Sequence, residues 1–481
     1  MPPTGEGLCD LPASRMRALL LRREVSAREL VEAHLRRVEA VNGAVNAIVT
    51  LTAELAMERA AAADESLARG VVTGPLHGIP VAHKDLQETR GVRTTYGSVI
   101  HADFVPHFDS LVVERMTAAG AISLGKTNVP EFGTGSQTYN AVFGATRNPY
   151  DLSKTAGGSS GGSAAALATG MVALADGSDM GGSLRNPAGF CNVVGLRPGA
   201  GRVPSWPTPL AWFDLAVDGP MARTVTDAAL LLSVLAGHDA RCPNSLPGDG
   251  SEFDVPLDAD LCGLRVAWSR DLGGLPMDPQ VTDVLDRAGI SALERIGCHV
   301  DAVEPDFTGA DDAFRTWRAW DYATTLRETL DRHREVLNPD VVANIEAGRR
   351  LTGDDLGRAE RARTALRSRM VELLQRYDVL ALPVSQVPPF DVDLPWVREI
   401  DGERMHTYLD WMRSAYWISV TGLPAISVPC GFTPEGLPVG LQLVGRACDE
   451  LGLLRIAHGI ERATGAFRQA PDLTDLMRRA I

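Results

Sequence analysis

The feature that most restricts how this chain can fold is a glycine-rich stretch from about residue 75 to 240, where short apolar runs alternate with helical segments. Three of these runs are Gly78-Ile-Pro-Val-Ala, Ala121-Ile-Ser-Leu and Met171-Val-Ala-Leu-Ala. Runs of this kind are typical of strands that are buried on both faces. Helices are predicted between and after them, over 163–169 and 227–235. Strands that alternate with helices predict an α/β fold, with a large, twisted, mixed and mostly parallel β-sheet covered by helices on both faces.

The rest of the chain is predicted to fold around this core. Residues 1–66 are predicted to be mainly helical, and one helix begins at the capping box Ser26-Ala-Arg-Glu29. Residues 275–377 carry mixed charges at helical spacing, which is typical of solvated helix faces, and are predicted as a helical insertion. Residues 378–481 return to strand-like runs. Because strands lie on both sides of the insertion, we predict a single domain over 1–481 rather than three.

Charge and cysteine usage exclude several classes of protein. The chain has 47 basic and 61 acidic residues and a net charge of −14, so binding of nucleic acid is not expected. Its seven cysteines include no Cys-x-x-Cys pair, which indicates reduced thiols and argues against a zinc ribbon. Neither a signal peptide nor an apolar run approaching 18 residues is visible. We therefore expect a soluble, cytoplasmic protein that needs no metal, cofactor, nucleic acid or membrane.

Two motif matches fail or weaken on physical grounds. Residues 120–127 fit the P-loop pattern, but the residues between the glycines form a strand-like run instead of a phosphate cradle. Nucleotide binding is therefore not expected. Residues 157–162 fit Gly-x-Ser-x-Gly, the nucleophile elbow of α/β-hydrolases, which needs a later acid and a histidine. His406 and His458 could supply the histidine, so this alternative stays open.

Two serine-bearing glycine clusters carry the strongest signal of chemistry. They are Gly157-Gly-Ser-Ser-Gly-Gly-Ser163 and Gly177-Ser-Asp-Met-Gly-Gly-Ser183-Leu-Arg-Asn-Pro187. Dense glycine lets backbone amides converge on one point, which is the geometry of an oxyanion hole beside a nucleophilic serine. A tight turn with a helix-capping serine explains one such cluster equally well. A nucleophilic serine also needs a base, and Lys84 ends an apolar run where burial would lower its pKa.

Together these motifs resemble the amidase signature family. The resemblance extends over almost the whole chain through further motifs in the same order: Gly78-Ile-Pro-Val-Ala-His-Lys-Asp85, Gly125-Lys-Thr-Asn-Val-Pro-Glu-Phe132, Val194-Gly-Leu-Arg-Pro198, Gly219-Pro-Met-Ala-Arg-Thr224, Gly422-Leu-Pro-Ala-Ile-Ser427 and Gly440-Leu-Gln-Leu-Val-Gly445. Several independent motifs in one order make the resemblance specific. It implies an enzyme that hydrolyses amides through a seryl acyl-enzyme, with no cofactor.

The resemblance also implies a Ser–cis-Ser–Lys triad. Carried onto this chain, Ser183 is the nucleophile, Ser159 the bridging serine after a cis peptide bond, and Lys84 the base. The amides of three residues are predicted to form the oxyanion hole: Met180, Gly181 and Gly182. Other signature residues are interpreted as scaffold, among them Ser160, Ser163, Ser178 and a paired Asp179 and Arg185. His83 stands where the family usually has an apolar residue; it could tune Lys84, although packing is its simplest explanation.

The substrate prediction depends on the segment 408–417. The A subunits of glutamine-dependent amidotransferases typically hold the glutamine amino group with an acidic residue, and by alignment that position falls at or near Met412, with Asp410 two residues away. Because the segment 408–417 is aromatic and apolar, we predict hydrolysis of a small aryl or alkyl acyl amide. The predicted substrate-binding residues are Gly133, Thr134, Trp411 and Trp417.

Two other functions are weighed against this prediction. The first is an amidotransferase A-type subunit that supplies ammonia to a partner. For the hydrolase, in contrast, a homodimer is the partner arrangement that is compatible with the prediction. The second is a catalytically inactive relative, which the presence of Lys84, Ser159 and Ser183 argues against.

Overall fold

The computed structural model of the protein describes residues 5–479. Within these residues, eleven strands join into one sheet and six further strands form three separate pairs. The strands, in chain order, are β1 (Ile48–Leu51), β2 (Pro80–Lys84), β3 (Ile122–Thr127), β4 (Tyr139–Asn140), β5 (Gly144–Ala145), β6 (Arg147–Asn148), β7 (Asp151–Thr155), β8 (Leu174–Asp179), β9 (Val194–Arg197), β10 (Val217–Ala222), β11 (Arg265–Trp268), β12 (His299–Ala302), β13 (Val379–Pro383), β14 (Glu399–Ile400), β15 (Glu403–Arg404), β16 (Ala425–Phe432) and β17 (Pro438–Val444).

The large sheet has the strand order β1-β3-β2-β8-β10-β9-β16-β17-β13-β11-β12. Two blocks of it are parallel, β3-β2-β8 and β13-β11-β12. The strands between these blocks pair antiparallel, as does β1 at one edge. Parallel neighbours need a crossover, whereas β16 and β17 follow one another as a hairpin. The predicted mixed α/β sheet is confirmed, and its parallel contacts lie in these two blocks.

Helices surround the sheet on the described part of the chain. In chain order they are α1 (Ala13–Leu21), α2 (Ala27–Val45), α3 (Ala53–Ala68), α4 (Leu111–Ala118), α5 (Gly161–Ala168), α6 (Arg185–Phe190), α7 (Val225–Leu235), α8 (Pro279–Val284), α9 (Ser291–Arg295), α10 (Ala310–Thr325), α11 (Arg327–His333), α12 (Pro339–Arg349), α13 (Gly353–Arg376), α14 (Arg413–Thr421), α15 (Glu450–Thr464) and α16 (Leu473–Arg479). The predicted helices 163–169 and 227–235 correspond to α5 and α7. The capping box is present before α2, where Ser26 and Glu29 each accept the other's backbone N–H.

Strands β2, β3 and β10 are buried at every position. In β8 only Ser178 is partly exposed. A strand that is buried at every position must be covered by other elements on both faces of the sheet. The two predicted layers of helices provide this cover.

The predicted insertion over 275–377 is largely helical but also contributes β12 to an edge of the large sheet. Helix α10 buries Phe314, Arg318 and Tyr322 against the rest of the protein. The interpretation of these charged helices as solvated is therefore wrong for Arg318, because a regular charge pattern does not reveal which arginine is covered by other parts of the chain.

Most buried apolar side chains between Leu8 and Leu476 form one cluster that includes residues of all four predicted parts of the chain. A smaller cluster consists of Tyr322, Leu330, Leu337, Val341 and Ile345. The single domain over 1–481 stays a prediction. Among the described residues, no helix is both long and apolar enough to cross a membrane.

The sheet topology brings Lys84, the predicted base, and the turn that follows β8 to the same edge of the sheet. Lys84 ends β2 and Asp179 ends β8, and these two strands are parallel neighbours. The carboxyl ends of parallel strands meet at the same edge of a sheet, where ligands of α/β proteins commonly bind. The antiparallel strand β10 places Asp218 opposite Ser178 at this edge.

Candidate active site

The Lys84 side chain is fully buried, and its amine contacts two serines. The Nζ atom lies 2.8 Å from Ser159 Oγ and 2.9 Å from Ser178 Oγ. The backbone N–H of Lys84 donates to Asp176 Oδ1 at 2.9 Å, which fixes the end of β2 against β8. The structure thus brings Lys84 and Ser159 together as the sequence predicts. Ser178, which sequence reasoning assigned to the scaffold, is a direct partner of the amine.

The environment of this amine favours its neutral form. Burial lowers the pKa of Lys84, and attraction to the carboxylates of Asp218, Asp179 and Asp176 offsets only part of this effect, so the pKa falls from 10.5 to about 7. A buried lysine without a carboxylate in contact loses its proton readily, since desolvation penalises the charged form. A neutral amine has a lone pair and can act as a general base near neutral pH.

Ser159 reaches the amine through the turn that precedes α5. The Gly158–Ser159 peptide bond is cis, as the resemblance implied, and the Gly158 carbonyl accepts a hydrogen bond from Ser136 Oγ at 2.7 Å. Gly133 lies beside this turn, because a Cβ atom built on it would be 3.5 Å from Ser159 Oγ. Gly133 also has a φ of +70°, which favours glycine at this position. The structure therefore places Gly133 at the site.

Ser183 is half-buried, and its hydroxyl has no hydrogen-bond partner among residues 5–479. The amides of Met180, Gly181 and Ser183 likewise have no acceptor among the described residues. The Gly182 amide differs, since it donates to Asp179 Oδ1 at 2.8 Å. We therefore correct the predicted oxyanion hole: the Gly182 amide is occupied, and the available donors in this turn are the amides of Met180, Gly181 and Ser183.

A buried ion pair holds this turn. Arg185 donates from Nε and Nη2 to the two carboxylate oxygens of Asp179, each at 3.0 Å, and Arg197 approaches Oδ1 at 3.5 Å. Burial alone would raise the pKa of Asp179, but the two guanidinium groups outweigh it and hold that pKa well below its usual range. The predicted pairing of Asp179 with Arg185 is therefore present. It fixes the carboxylate that in turn holds the Gly182 amide.

The His83 imidazole contacts the carboxylate of Asp176. Its Nδ1 atom lies 2.6 Å from Asp176 Oδ2, and both side chains are almost fully buried. Because the other oxygen of Asp176 accepts the Lys84 amide, the imidazole and the backbone of the predicted base share one carboxylate. Sequence reasoning missed this contact, since Asp176 lies on another strand and the usual explanation of a single buried histidine is packing.

The wall opposite the glycine turn is apolar. A Cβ atom built on Gly181 would lie 2.9 Å from Phe314 Cζ and 3.4 Å from Met412 Cε, and one built on Gly182 would lie 2.5 Å from Ala415 Cβ. Met412 and Ala415 are three residues apart and share a face at the start of α14. The segment 408–417 therefore borders the site as predicted.

The particular tryptophans predicted for this wall are elsewhere. Trp411 is only 1% exposed, and its ring packs among Phe190 and Phe390, at centroid distances of 6.2 and 5.1 Å. Trp417 is half-buried against Phe307 at 5.3 Å. A residue two positions after Ala415 points to nearly the opposite side of a helix, which explains the misassignment. The structure corrects both predictions and assigns the contacts to Met412 and Ala415.

Asp410 is not a free acid. It accepts the backbone amides of His406 and Thr407 at 2.6 and 2.8 Å and pairs with Arg315 at 2.5 Å. Burial alone would raise the pKa of Asp410, but these donors lower it overall. A carboxylate with its oxygens occupied in this way has little capacity to bind a further cation.

Arg318 connects the helical insertion to the site and was missed by sequence reasoning. The guanidinium contacts Met180 Sδ at 3.1 Å and donates to the hydroxyls of Tyr408 and Tyr322 at 3.0 and 2.8 Å. The Tyr322 hydroxyl also lies 2.9 Å from Thr134 Oγ1. The predicted residue Thr134 is therefore part of a buried network, and its hydroxyl is already bonded.

A cavity of about 280 Å³ reaches the amine side of the site, where Ser178 and Asp218 are among its lining residues. The Asp218 carboxylate accepts hydrogen bonds from Ser205 Oγ at 2.6 Å and Gln87 Nε2 at 2.8 Å. Burial raises the pKa of Asp218, and the two hydrogen bonds and Lys84 oppose only part of that rise, so the pKa reaches about 6. Ser178, which lines this cavity, is thus also a direct partner of the Lys84 amine.

The competing motifs find no support in side-chain contacts. Lys126, the lysine of the P-loop pattern, is buried in β3 and donates to the Gln87 carbonyl and to the hydroxyls of Thr89 and Thr94. Within the described residues, no histidine side chain is hydrogen-bonded to Ser159 or Ser183, and His458 instead lies 3.8 Å from Asp258 and Glu461. The same residues include no group of three His, Cys, Asp or Glu side chains that could hold a metal ion.

A mixed sheet that presents a buried lysine and two serine-bearing glycine turns at one edge is an arrangement suited to acyl transfer from an amide. The chain matches the model of the family described as Amidase over residues 29–454, and it belongs to that family. It is an enzyme that acts on amide C–N bonds.

Individual relatives differ in what they do. The chain is 38% identical to the A subunit of the glutamyl-tRNA(Gln) amidotransferase of Moorella thermoacetica, over 96% of this chain and 98% of that protein. Its structure is similar to that of a bacterial aryl acylamidase of the amidase signature family, with a TM-score of 0.88, 28% identity and 98% of each chain covered. It is also similar to the A subunit of the glutamyl-tRNA(Gln) amidotransferase of Thermotoga maritima, with a TM-score of 0.77, 28% identity and 97% and 98% coverage.

Proposed function

We propose that this protein cleaves the amide C–N bond through an acyl-enzyme on Ser183, with Ser159 and Lys84 moving the proton. The contact of 2.8 Å between Lys84 Nζ and Ser159 Oγ is the observation that carries this proposal. Ser183 Oγ attacks the amide carbon, its proton passes to Ser159, and the proton of Ser159 passes to the neutral amine of Lys84. The negative charge that develops on the amide oxygen is stabilised by the free amides of Met180, Gly181 and Ser183.

The same relay completes the reaction. When the C–N bond breaks, Lys84 returns its proton through Ser159 to the departing nitrogen, which leaves as ammonia or an amine. A water molecule then attacks the ester carbon of acylated Ser183 and gives up one proton along the relay. The ester C–O bond breaks, the Ser183 oxygen regains a proton, and the carboxylic acid is released.

The geometry favours an apolar acyl amide as substrate. The side chains facing Gly181 are Phe314 and Met412, and Asp410, the nearest acid of this segment, is already bonded to Arg315 and two amides. Placing the ammonium group of glutamine against this wall would bury a charge without a partner, which is costly. An aryl or alkyl acyl group meets no such penalty, and the structural similarity to an aryl acylamidase supports the same substrate class.

A second candidate is a glutamine-dependent amidotransferase A-type subunit that supplies ammonia to a partner. The curated relatives favour it over the hydrolase, since proteins named as the A subunit of such an amidotransferase match nearly the whole chain at 35–38% identity. The two candidates share the proposed relay. They differ in the part of the substrate that lies against Met412, which is an apolar acyl group in the hydrolase and the ammonium group of glutamine in the amidotransferase.

A substrate panel with the purified chain tests the choice between the two candidates. We expect benzamide and aliphatic amides to be hydrolysed with at least about 100-fold higher kcat/KM than glutamine, because the site lacks a free acid for the ammonium group. Met412→Asp adds that acid and should narrow the difference in kcat/KM between these amides and glutamine. Met412→Leu is the matched control and should leave that difference in place. Preference for glutamine in the unmodified chain, or activity that appears only with companion subunits, would favour the amidotransferase.

The pH dependence of the reaction follows from the pKa of Lys84. Because that pKa is lowered to about 7, the amine is protonated and inactive as a base below this pH and neutral above it. We expect log kcat/KM to rise with a slope of about 1 up to pH 7 and then to level off. Asp218 contributes the largest attraction that keeps the proton on Lys84, so Asp218→Asn should move the midpoint to lower pH. A profile that is flat from about pH 5 to 9 would contradict the role of Lys84 as base.

A further inference from the structure

A second cleft lies between the segment 209–214 and helices α10 and α13. Its volume is about 790 Å³, and four aromatic side chains line it: Trp212, Phe213, Trp317 and Trp320. Trp212 is 76% exposed, the largest exposed fraction among the exposed large apolar side chains of the described residues. A tryptophan this exposed keeps most of its apolar surface in water until something packs against it. We call this region the aromatic cleft.

Three of the four rings form a connected group. The centroid of Phe213 is 6.3 Å from Trp317 and 5.8 Å from Trp320, and the two tryptophans meet edge to face at 5.4 Å and 86°. These rings hold each other in place, while Trp212 lies on the same cleft with most of its surface free. Aromatic rings prefer offset or edge-to-face neighbours at such distances, so a further flat ring would fit beside this group.

The aromatic cleft lies next to the cavity that borders the candidate active site. Phe213, Leu210 and Asp214 line both this cleft and the cavity of about 280 Å³ that reaches Ser178, the serine bonded to Lys84. Helix α10 makes the same connection from the other side. It carries Trp317 between Phe314, which lies against Gly181, and Arg318, which contacts Met180.

Three charged side chains line the cleft. Arg363 and Asp214 form an ion pair with an Nη1–Oδ1 distance of 2.8 Å, whereas Glu360 is exposed and has no ion-pair partner among the described residues. The remaining acid disfavours an anionic ligand, and the aromatic rings of the lining favour a flat, uncharged group.

We propose that the aromatic cleft binds an aromatic ring carried by the amide substrate, with Trp212 closing over the ring as an aromatic contact. This inference rests on the proposed amide hydrolysis and deepens it, since it names the part of the substrate that the cleft selects. The ring is attached either to the carbonyl carbon or to the amide nitrogen, and both sources share the same flat, neutral chemistry. Trp212 is then a specificity-determining residue that contributes to binding and not to proton transfer.

Steady-state kinetics with three substrates test the proposal: acetamide without a ring, benzamide with a ring on the carbonyl carbon, and acetanilide with a ring on the nitrogen. In Trp212→Leu we expect KM for the ring-bearing substrate to rise about tenfold, which is the size of one aromatic contact, with kcat nearly unchanged. Trp212→Phe should restore most of the affinity, and KM for acetamide should not change. A larger rise in KM for benzamide would place the ring on the carbonyl carbon, and a larger rise for acetanilide would place it on the amide nitrogen. Equal effects on all three substrates, or none, would overturn the proposal.

A binding measurement separates this proposal from the proposed function. Ser183→Ala protein is titrated with benzamide and with acetanilide while tryptophan fluorescence is followed, and the titration is repeated with Ser183→Ala/Trp212→Leu. Saturable quenching that weakens about tenfold in the double variant supports the aromatic cleft even if no amide is cleaved. Absence of binding by both ring-bearing compounds overturns the cleft assignment, although amide hydrolysis by Ser183 would stand on its own kinetics.

Discussion

Ser183→Ala lowers kcat for the preferred amide by about 10⁴-fold or more while the protein stays folded, since the members of a catalytic triad act as a unit. The expected loss is large because the variant has no atom that can form the acyl-enzyme. The expected cost in stability is small because Ser183 is only half-buried and its hydroxyl makes no hydrogen bond within the described residues. Turnover and the thermal unfolding midpoint, measured on the same preparation, check both halves of this prediction.

Labelling provides the positive control for this variant. A serine-directed fluorophosphonate should add its mass to one serine of the unmodified protein, and peptide mapping should locate it on Ser183. Ser159→Ala is the matched variant, because it removes the serine hydroxyl of the other glycine turn, which is bonded to Lys84 Nζ and not free. Label on Ser159, or turnover that persists in Ser183→Ala, would contradict the assignment of the nucleophile.

Replacement of Lys84 by methionine should lower kcat by about 10³-fold at neutral pH, because general bases typically contribute 10²- to 10⁴-fold. Methionine has a similar length and apolar stem, so the variant removes the amine while keeping most of the packing. It should also abolish the rise of activity around pH 7, since the group that titrates there is gone. Rates measured across the pH range in both proteins check this.

Lys126→Met is the control for burial. Lys126 lies on the neighbouring strand β3, is equally buried, and bonds Thr89 and Thr94 instead of a catalytic serine. Both substitutions remove a buried amine with several partners, so both should lower the unfolding midpoint. Only Lys84→Met should lower the kcat of the folded fraction; equal losses in the two variants would assign the effect of Lys84 to folding.

The sequence predicted those parts of the fold and site that depend on local pattern. Apolar runs buried on both faces indicated the strands β2, β3 and β8, and the capping box indicated the start of α2. Glycine density and motif order placed Lys84 and Ser159 at one site. These features were predictable because each is written into a few adjacent residues.

Contacts between distant segments were not predictable in the same way. Arg318 looked like one charge among many on a solvated helix, but it is buried against Met180, Tyr322 and Tyr408. The aromatic segment 408–417 does border the site, but helix rotation decides which side chains face it, so Met412 took the place of Trp411. The occupation of the Gly182 amide by Asp179 likewise depends on the three-dimensional path of one turn.

The contribution of α10 to this enzyme has a consequence for how its substrate range can change. The atoms of the proposed relay come from residues 84–183, whereas Phe314 and Trp317 come from a single helix much later in the chain. Mutations in this helix therefore change one wall of the site without replacing a residue of the proposed relay. A mutagenesis library confined to the codons of Ala310–Thr325 would sample new substrates while every member keeps the residues of the relay unchanged.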